Sequence, residues 1–254
     1  MTVRPEPADF DDDRSLRDAA QRIVSGRCVL FDFDGPLCLL FPGRSSAPLA
    51  NDLRRIVARR NASALLSPAA LATIDPQVVL RTVDMARPGD ELVAELDARL
   101  IEGEMYAAQE APASEGADDL IRRLAKEGVR IAVTTNNSSM AVAVYLRRMG
   151  LDEHFAGRIY GRTGDPRRLK PHPDCLHRAL NALDADPGDA LMIGDTTTDL
   201  AAARAAGVMF VGYAPDEVEG AGAGAREREV TALRKAGAPV VRHRFDDFSA
   251  MIPW

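Results

Sequence analysis

The sequence predicts an α/β protein, a doubly wound parallel sheet with a small α-helical insertion after its first strand. Three observations predict it. Short apolar runs, RCVLFDF at 27–33, VRIAVTT at 129–135, ALMIGD at 190–195 and VMFVGY at 208–213, have the unbroken character of strands buried on both faces. From 117 onward these runs alternate with stretches of helical periodicity, as parallel strands joined by crossover helices require. About 70 residues separate the first two runs, too many for a structureless connection inside a compact domain.

Taken in order, residues 1–26 read as an acidic tail followed by a helix at 15–24. The strand at 27–33 comes next. Residues 42–112 are rich in alanine, leucine and arginine, with helical spacing in NDLRRIVARR (51–60) and DELVAELDARLIEGEMYAAQ (90–109). They are expected to form a helical lid over the C-terminal edge of the sheet, where open parallel sheets bind ligands. The helix at 117–128 carries an apolar stripe of Leu120, Ile121 and Leu124 and ends on Gly128. Helices at 138–150, 173–183 and 198–207 alternate with GRIYG (157–161) and the two later strands. A GAGAGA loop at 220–225, a charged helix through Lys235 and a short strand at 239–245 complete the core, which comprises 27–41 and 113–254.

Composition narrows the function. A net charge of −6 gives no basic field to draw nucleic acid or an anionic membrane. No run reaches the roughly 18 apolar residues of a membrane span, and the acidic N-terminus lacks a signal-peptide core, so a cytoplasmic location is expected. Cys28, Cys38 and Cys175 are odd in number and without a CxxC, which suggests reduced, buried thiols.

The strand ends carry the chemistry. Asp32 and Asp34 stand two apart at the end of an apolar run, where strand alternation turns both carboxylates to one side, and their repulsion asks for a metal, a proton or a reason to tolerate the cost. Thr134, Thr135 and Asn136 end the second strand before a helix, a cradle for an anion. Lys170 precedes a proline-started helix, and Asp195 ends the fourth run with Asp199 in the next helical turn. His172 and His177, five apart on a helix, read as surface or packing residues. Arg44, Arg54, Arg55, Arg59 and Arg60 read as a solvated helix face.

Together FDFDGPL, VTTN, LKP and IGDTTTD resemble, in order and placement, the four motifs of the haloacid dehalogenase superfamily. Within it the chain is most similar to the phosphoglycolate-phosphatase-like, magnesium-dependent phosphatases with a helical C1-type cap. The resemblance implies a Rossmann-like core and a phosphomonoesterase acting on a small phosphorylated metabolite. It implies Asp32 as nucleophile forming an aspartyl-phosphate and Asp34 as the acid and base. Lys170 would supply charge to the transition state. Thr135, Asn136 and Gly35 fall at substrate-binding positions, the threonine chosen because it directly precedes the asparagine. Mg2+ would be held by the Asp32 and Asp195 carboxylates and the Asp34 carbonyl, with Asp199 orienting metal-bound water or Lys170.

Two departures stand out: Pro36 follows the DxDG unit, and Cys38, Leu39 and Leu40 replace a polar pair. Because Asp34 is present, halide displacement, which needs no acid, is disfavoured. A phosphomutase and a non-catalytic sensor of a phosphorylated metabolite are the alternatives. The metabolite, and whether the chain is a monomer or a homodimer, are left open by these motifs.

Overall fold

The computed structural model describes residues 9–26, 28–42, 46–214, 225–242 and 244–253. Helix α1 (Asp9–Gly26) leads into β1 (Cys28–Phe31), and four helices follow: α2 (Ala47–Arg59), α3 (Pro68–Ala72), α4 (Pro76–Ala86) and α5 (Glu91–Ala108). The alternating part then runs α6 (Ala117–Lys126), β2 (Arg130–Thr134), α7 (Ser139–Arg148), α8 (Asp152–Phe155), β3 (Ile159–Tyr160), α9 (Asp174–Leu183), β4 (Ala190–Gly194), α10 (Thr197–Ala206) and β5 (Met209–Ala214). It closes with α11 (Ala225–Lys235), β6 (Val240–Arg242) and α12 (Phe245–Met251).

The six strands form one sheet in the order β3-β2-β1-β4-β5-β6, every neighbouring pair parallel. This is the expected doubly wound α/β sheet. Its central strand shows why the apolar runs are continuous. Val29 and Phe31 enter one core cluster and Cys28 and Leu30 the other, so β1 is buried on both faces. All three cysteines are free and buried.

The helices inserted between β1 and β2 carry a core of their own. Leu53 and Val57 of α2, Val79, Leu80 and Val83 of α4, and Leu96 and Leu100 of α5 form a separate cluster. Helix α5 continues past it and packs against α7. Two of these helices carry start signals that apolar periodicity does not register: Ser67 and Asp75 are N-caps, accepting hydrogen bonds from Ala70 N and Gln77 N, and each is followed by proline.

Other elements differ from the sequence expectation. Helix α1 begins at Asp9. Strand β1 ends at Phe31, because beyond one more ladder bond, Asp32 N–H to Ile193 O at 2.8 Å, the chain folds back and both Leu37 and Cys38 donate to Phe33 O. Asp34 therefore sits in a tight loop, and strand alternation does not set its direction. The C-terminal helix α12 was unforeseen; its Phe245 and Phe248 are buried in the main core. The glycines of GAGAGA and Arg44 lie outside the described residues. Among the described residues no helix is long and apolar enough to cross a membrane.

Candidate active site

The C-terminal edge of β1, β2 and β4 and the loop before α9 place their polar residues around one pocket of about 560 Å³. Asp32, directly after β1, is 7% exposed. Its Oδ1 accepts the Phe33 N–H at 2.7 Å and lies 2.9 Å from Lys170 Nζ. Asp34 is half-buried and lines the same pocket, with Oδ1 accepting the Leu40 N–H at 2.8 Å. Gly35 between the loop arms has φ 110°, and a Cβ there would meet the Asp195 carboxylate at 2.4 Å, so only glycine fits.

Lys170 is the junction of the site. Its ammonium, 2% exposed, reaches Asp32 at 2.9 Å, Asp199 Oδ1 at 2.5 Å and the Thr134 carbonyl at 3.0 Å. Burial works to lower its pKa, but the carboxylates of Asp199 and Asp32 more than offset that, and the group is held protonated well above the usual lysine range. The same geometry acts oppositely on Asp32. Burial, then repulsion from Asp199, push its carboxyl from 3.8 up to about 6, against the pull of Lys170.

Helix α10 explains where Asp195 and Asp199 sit. Thr196 and Asp199 form a reciprocal capping box, so Asp199 Oδ2 accepts from Thr196 N at 3.0 Å while its Oδ1 meets Lys170. Asp195 precedes the cap and turns into the pocket. Oxygen atoms of Asp32, Asp195 and Asp199 lie within 4.8 Å of one another.

After β2, Thr135 Oγ1 donates to Asn137 Oδ1 at 3.1 Å and accepts the Asn137 N–H at 3.1 Å. The Asn136 side chain pairs with the backbone of Lys170, Oδ1 accepting its N–H at 2.7 Å and Nδ2 donating to its carbonyl at 3.2 Å. All eight site residues expected from the sequence, Asp32, Asp34, Gly35, Thr135, Asn136, Lys170, Asp195 and Asp199, line this one pocket.

The profile of the haloacid dehalogenase-like hydrolases matches residues 27–207 of the 254. The chain belongs to this family. Over 89 residues it is 35% identical to pyrophosphatase PpaX of Bacillus cereus, a match covering 35% of this chain and 40% of that protein. The chain thus spans less than half the length of the curated relatives it matches. Among solved structures it resembles a family hydrolase from Deinococcus radiodurans with bound phosphate and sodium, at TM-score 0.52 and 27% identity over 88% of this chain and 93% of that one. A predicted phosphatase from Clostridium acetobutylicum shares the fold at TM-score 0.59 and 19% identity, with 89% and 98% covered.

As a member of this family the hydrolase should accommodate a divalent cation, and its residues fit one. The donors are carboxylate oxygens, which suit a hard cation, and oxygens of Asp32, Asp195 and Asp199 converge in one cluster beside the pocket. Asp199 is already committed on both oxygens, leaving Asp32 and Asp195 as the carboxylates to face the ion.

Several pocket residues escaped the sequence reading. Gln77 and Arg81 of α4 roof the pocket, donating to Asn136 O at 3.4 Å and Lys170 O at 2.6 Å. Their signal was the Asp75-Pro76 helix start. Glu104, Asn137 and Arg162 form a buried polar group beside the loop after β2, and in sequence nothing links them. The arginines noted earlier serve the inserted helices instead: Arg54 binds the carbonyls of Ala70 and Thr73, Arg55 pairs with Asp52 and Arg60 with Glu95. His172 and His177 are exposed, and His172 Nδ1 accepts the Asp174 N–H.

Proposed function

We propose that the chain is a magnesium-dependent phosphomonoesterase that hydrolyses a small phosphorylated metabolite through an aspartyl-phosphate on Asp32. The observation that carries this reading is the buried Lys170 ammonium held between Asp32 and Asp199 beside the Thr135-Asn136 loop. It sets a carboxylate nucleophile, a fixed cation and an anion cradle around one point.

In this reading Asp32 Oδ attacks phosphorus, forming one P–O bond as the bond to the substrate's alkoxide breaks. Asp34 gives that alkoxide its proton and then takes one from the water that attacks the aspartyl-phosphate, whose bond between phosphorus and the Asp32 oxygen breaks to release inorganic phosphate and restore the carboxylate. Lys170 stays protonated and faces the spreading charge of the phosphoryl oxygens, which the Thr135 hydroxyl and the Asn136 N–H also bind. A magnesium ion held by Asp32, Asp195 and the Asp34 carbonyl would add positive charge and orient the phosphoryl group.

Residues 42–112 act as the cap, 27–41 and 113–254 as the core, and selectivity resides in pocket-facing cap residues. Three buried free thiols suit a reducing compartment, and the cytoplasm is the proposed location.

The test is phosphate release from a panel of phosphorylated metabolites, with magnesium and with chelator, beside Asp32→Asn. Metal-dependent release that disappears in the variant supports the reading. Release that persists in Asp32→Asn overturns the nucleophile, and release only when a bisphosphate is supplied identifies a mutase.

A further inference from the structure

We propose that Arg162 is a positioning residue for the loop after β2, acting with Glu104 and Asp97 of α5 to hold Thr135, Asn136 and Asn137 in the conformation that receives the phosphoryl group. The inference rests on reading that loop as the phosphoryl-binding element.

Arg162 lies just beyond β3, and its side chain is 1% exposed. Nε meets Asp97 Oδ1 at 2.6 Å, and Nη1 and Nη2 meet the two oxygens of Glu104 at 3.0 and 3.2 Å. Nη1 also donates to Asn136 O at 2.9 Å, and the Arg162 N–H donates to Asn137 O at 2.9 Å. Glu104, itself 1% exposed, accepts Asn137 Nδ2 at 3.1 Å and the Ser138 N–H at 2.8 Å. Two successive carbonyls, one N–H and one side-chain amide of the loop are therefore all claimed by this pair. Through Asn137 the hold extends to the Thr135 hydroxyl. Gly161 permits the approach, since a Cβ there would stand 2.6 Å from both Asn137 O and Ser139 N.

The charges decide what the group is for. One guanidinium faces two carboxylates, a net negative charge beside a pocket meant for an anion, so it does not draw phosphate in. Nor is a buried ion pair a strong source of net stability, because desolvation offsets most of the attraction. What remains is conformational. A carbonyl left unclaimed in this loop would be free to turn toward a bound anion and repel it, and here the carbonyls of Asn136 and Asn137 are both held by Arg162. Asp97 and Glu104 are seven residues apart on α5, two turns along one face, so a single arginine reaches both. Lysine cannot replace that planar fork.

The experiment compares Arg162→Lys and Glu104→Gln with wild type in the full chain, using inorganic phosphate as probe, magnesium titration as control and amide hydrogen exchange of residues 135–138. Phosphate affinity is expected to fall about tenfold in Arg162→Lys, the value of one charge-assisted hydrogen bond. Magnesium affinity should stay within about twofold, because Asp32 and Asp195 stand on other loops, while exchange at 136–138 should quicken relative to β4. Glu104→Gln keeps one carbonyl acceptor and should lose less than Glu104→Ala. Unchanged phosphate affinity and exchange per folded molecule, with only a lower Tm, would make the group structural and overturn the proposal. If wild type itself binds no phosphate, the phosphatase reading fails separately, and the exchange rates still decide whether Arg162 fixes the loop.

Discussion

The sheet edge and the inserted helices of this hydrolase are both rich in ion pairs, but the pairs differ in kind. At the edge, Lys170, Asp32 and Asp199 are almost wholly removed from water. In the insertion, Arg60 and Glu95 form a pair whose side chains are 56% and 35% exposed, of the sort that contributes about 0–1 kcal/mol. The inserted helices are held to one another by an apolar cluster, with exposed pairs such as this one on their outer surface, while two carboxylates of α5, Asp97 and the buried Glu104, turn to Arg162 beyond β3. The edge keeps charge where burial opposes it, which a stability argument does not explain and a reaction does.

The strongest way to break this contrast is to remove the buried cation. Lys170→Met leaves Asp32 and Asp199 facing each other without a counter-charge and should destabilise the fold by about 3–5 kcal/mol. Turnover per folded molecule should fall by about 10²–10³, the scale of losing one preorganised charge at a transition state. Denaturant unfolding and single-turnover assays measure the two losses. A variant as stable as wild type would mean that the edge is no costlier than the surface of the insertion, and the contrast would collapse.

A finer test uses pH. With burial and Asp199 raising Asp32 from 3.8 to about 6, the folded state holds this proton more tightly than the unfolded chain across that window. Metal-free stability from this group is thus fully present below the unfolded value and falls as pH rises through about 6, since the unfolded state there binds fewer protons. Asp32→Asn has no such titration. In chelator its stability should gain on wild type as pH rises through the window, although its turnover is lost. Thermal unfolding of both proteins from acid to neutral pH measures this, and a gain for wild type instead would show that Lys170 over-compensates the carboxylate.

The same contrast explains what could be seen in the sequence. Groups proposed for catalysis at a sheet edge must be particular residue types at strand ends and in the loops that follow them, so Asp32, Asp34, Thr135, Lys170 and Asp195 announce themselves, as do the runs that form β1, β2, β4 and β5. Helices α3 and α4 hide because their boundaries rest on single capping side chains, Ser67 and Asp75, and their apolar spacing is short. The partnership of Arg162 with Asp97 and Glu104 hides for another reason. It joins residues 58 or more positions apart through tertiary packing alone, and no local pattern records it. Asp34 reaches the same pocket as Asp32, as the sequence predicts, but it does so through the turn that closes on Phe33 O and not through strand alternation.

The smallest effect, and the one that sharpens the contrast most, concerns Arg81. Among the described residues it is the cation of the insertion that lines the pocket, half-buried, with Nη2 bonded to the Lys170 carbonyl and Nε without a hydrogen-bond partner. Burial lowers its pKa while Asp75 works against that, so it shares the strained electrostatics of the edge although it belongs to the cap. Under the proposed function, a guanidinium fixed this way would contact bound substrate before and during reaction alike. Arg81→Gln should therefore raise KM by about tenfold with kcat little changed, the mark of lost uniform binding. The change should be larger for substrates bearing a second anionic group than for those with a neutral remainder. Steady-state kinetics on paired substrates from the metabolite panel measures it. An equal fall in kcat and kcat/KM would move Arg81 to the chemistry of the edge, acting through the Lys170 backbone, and the division between a catalytic edge and a selecting cap would have to be redrawn there.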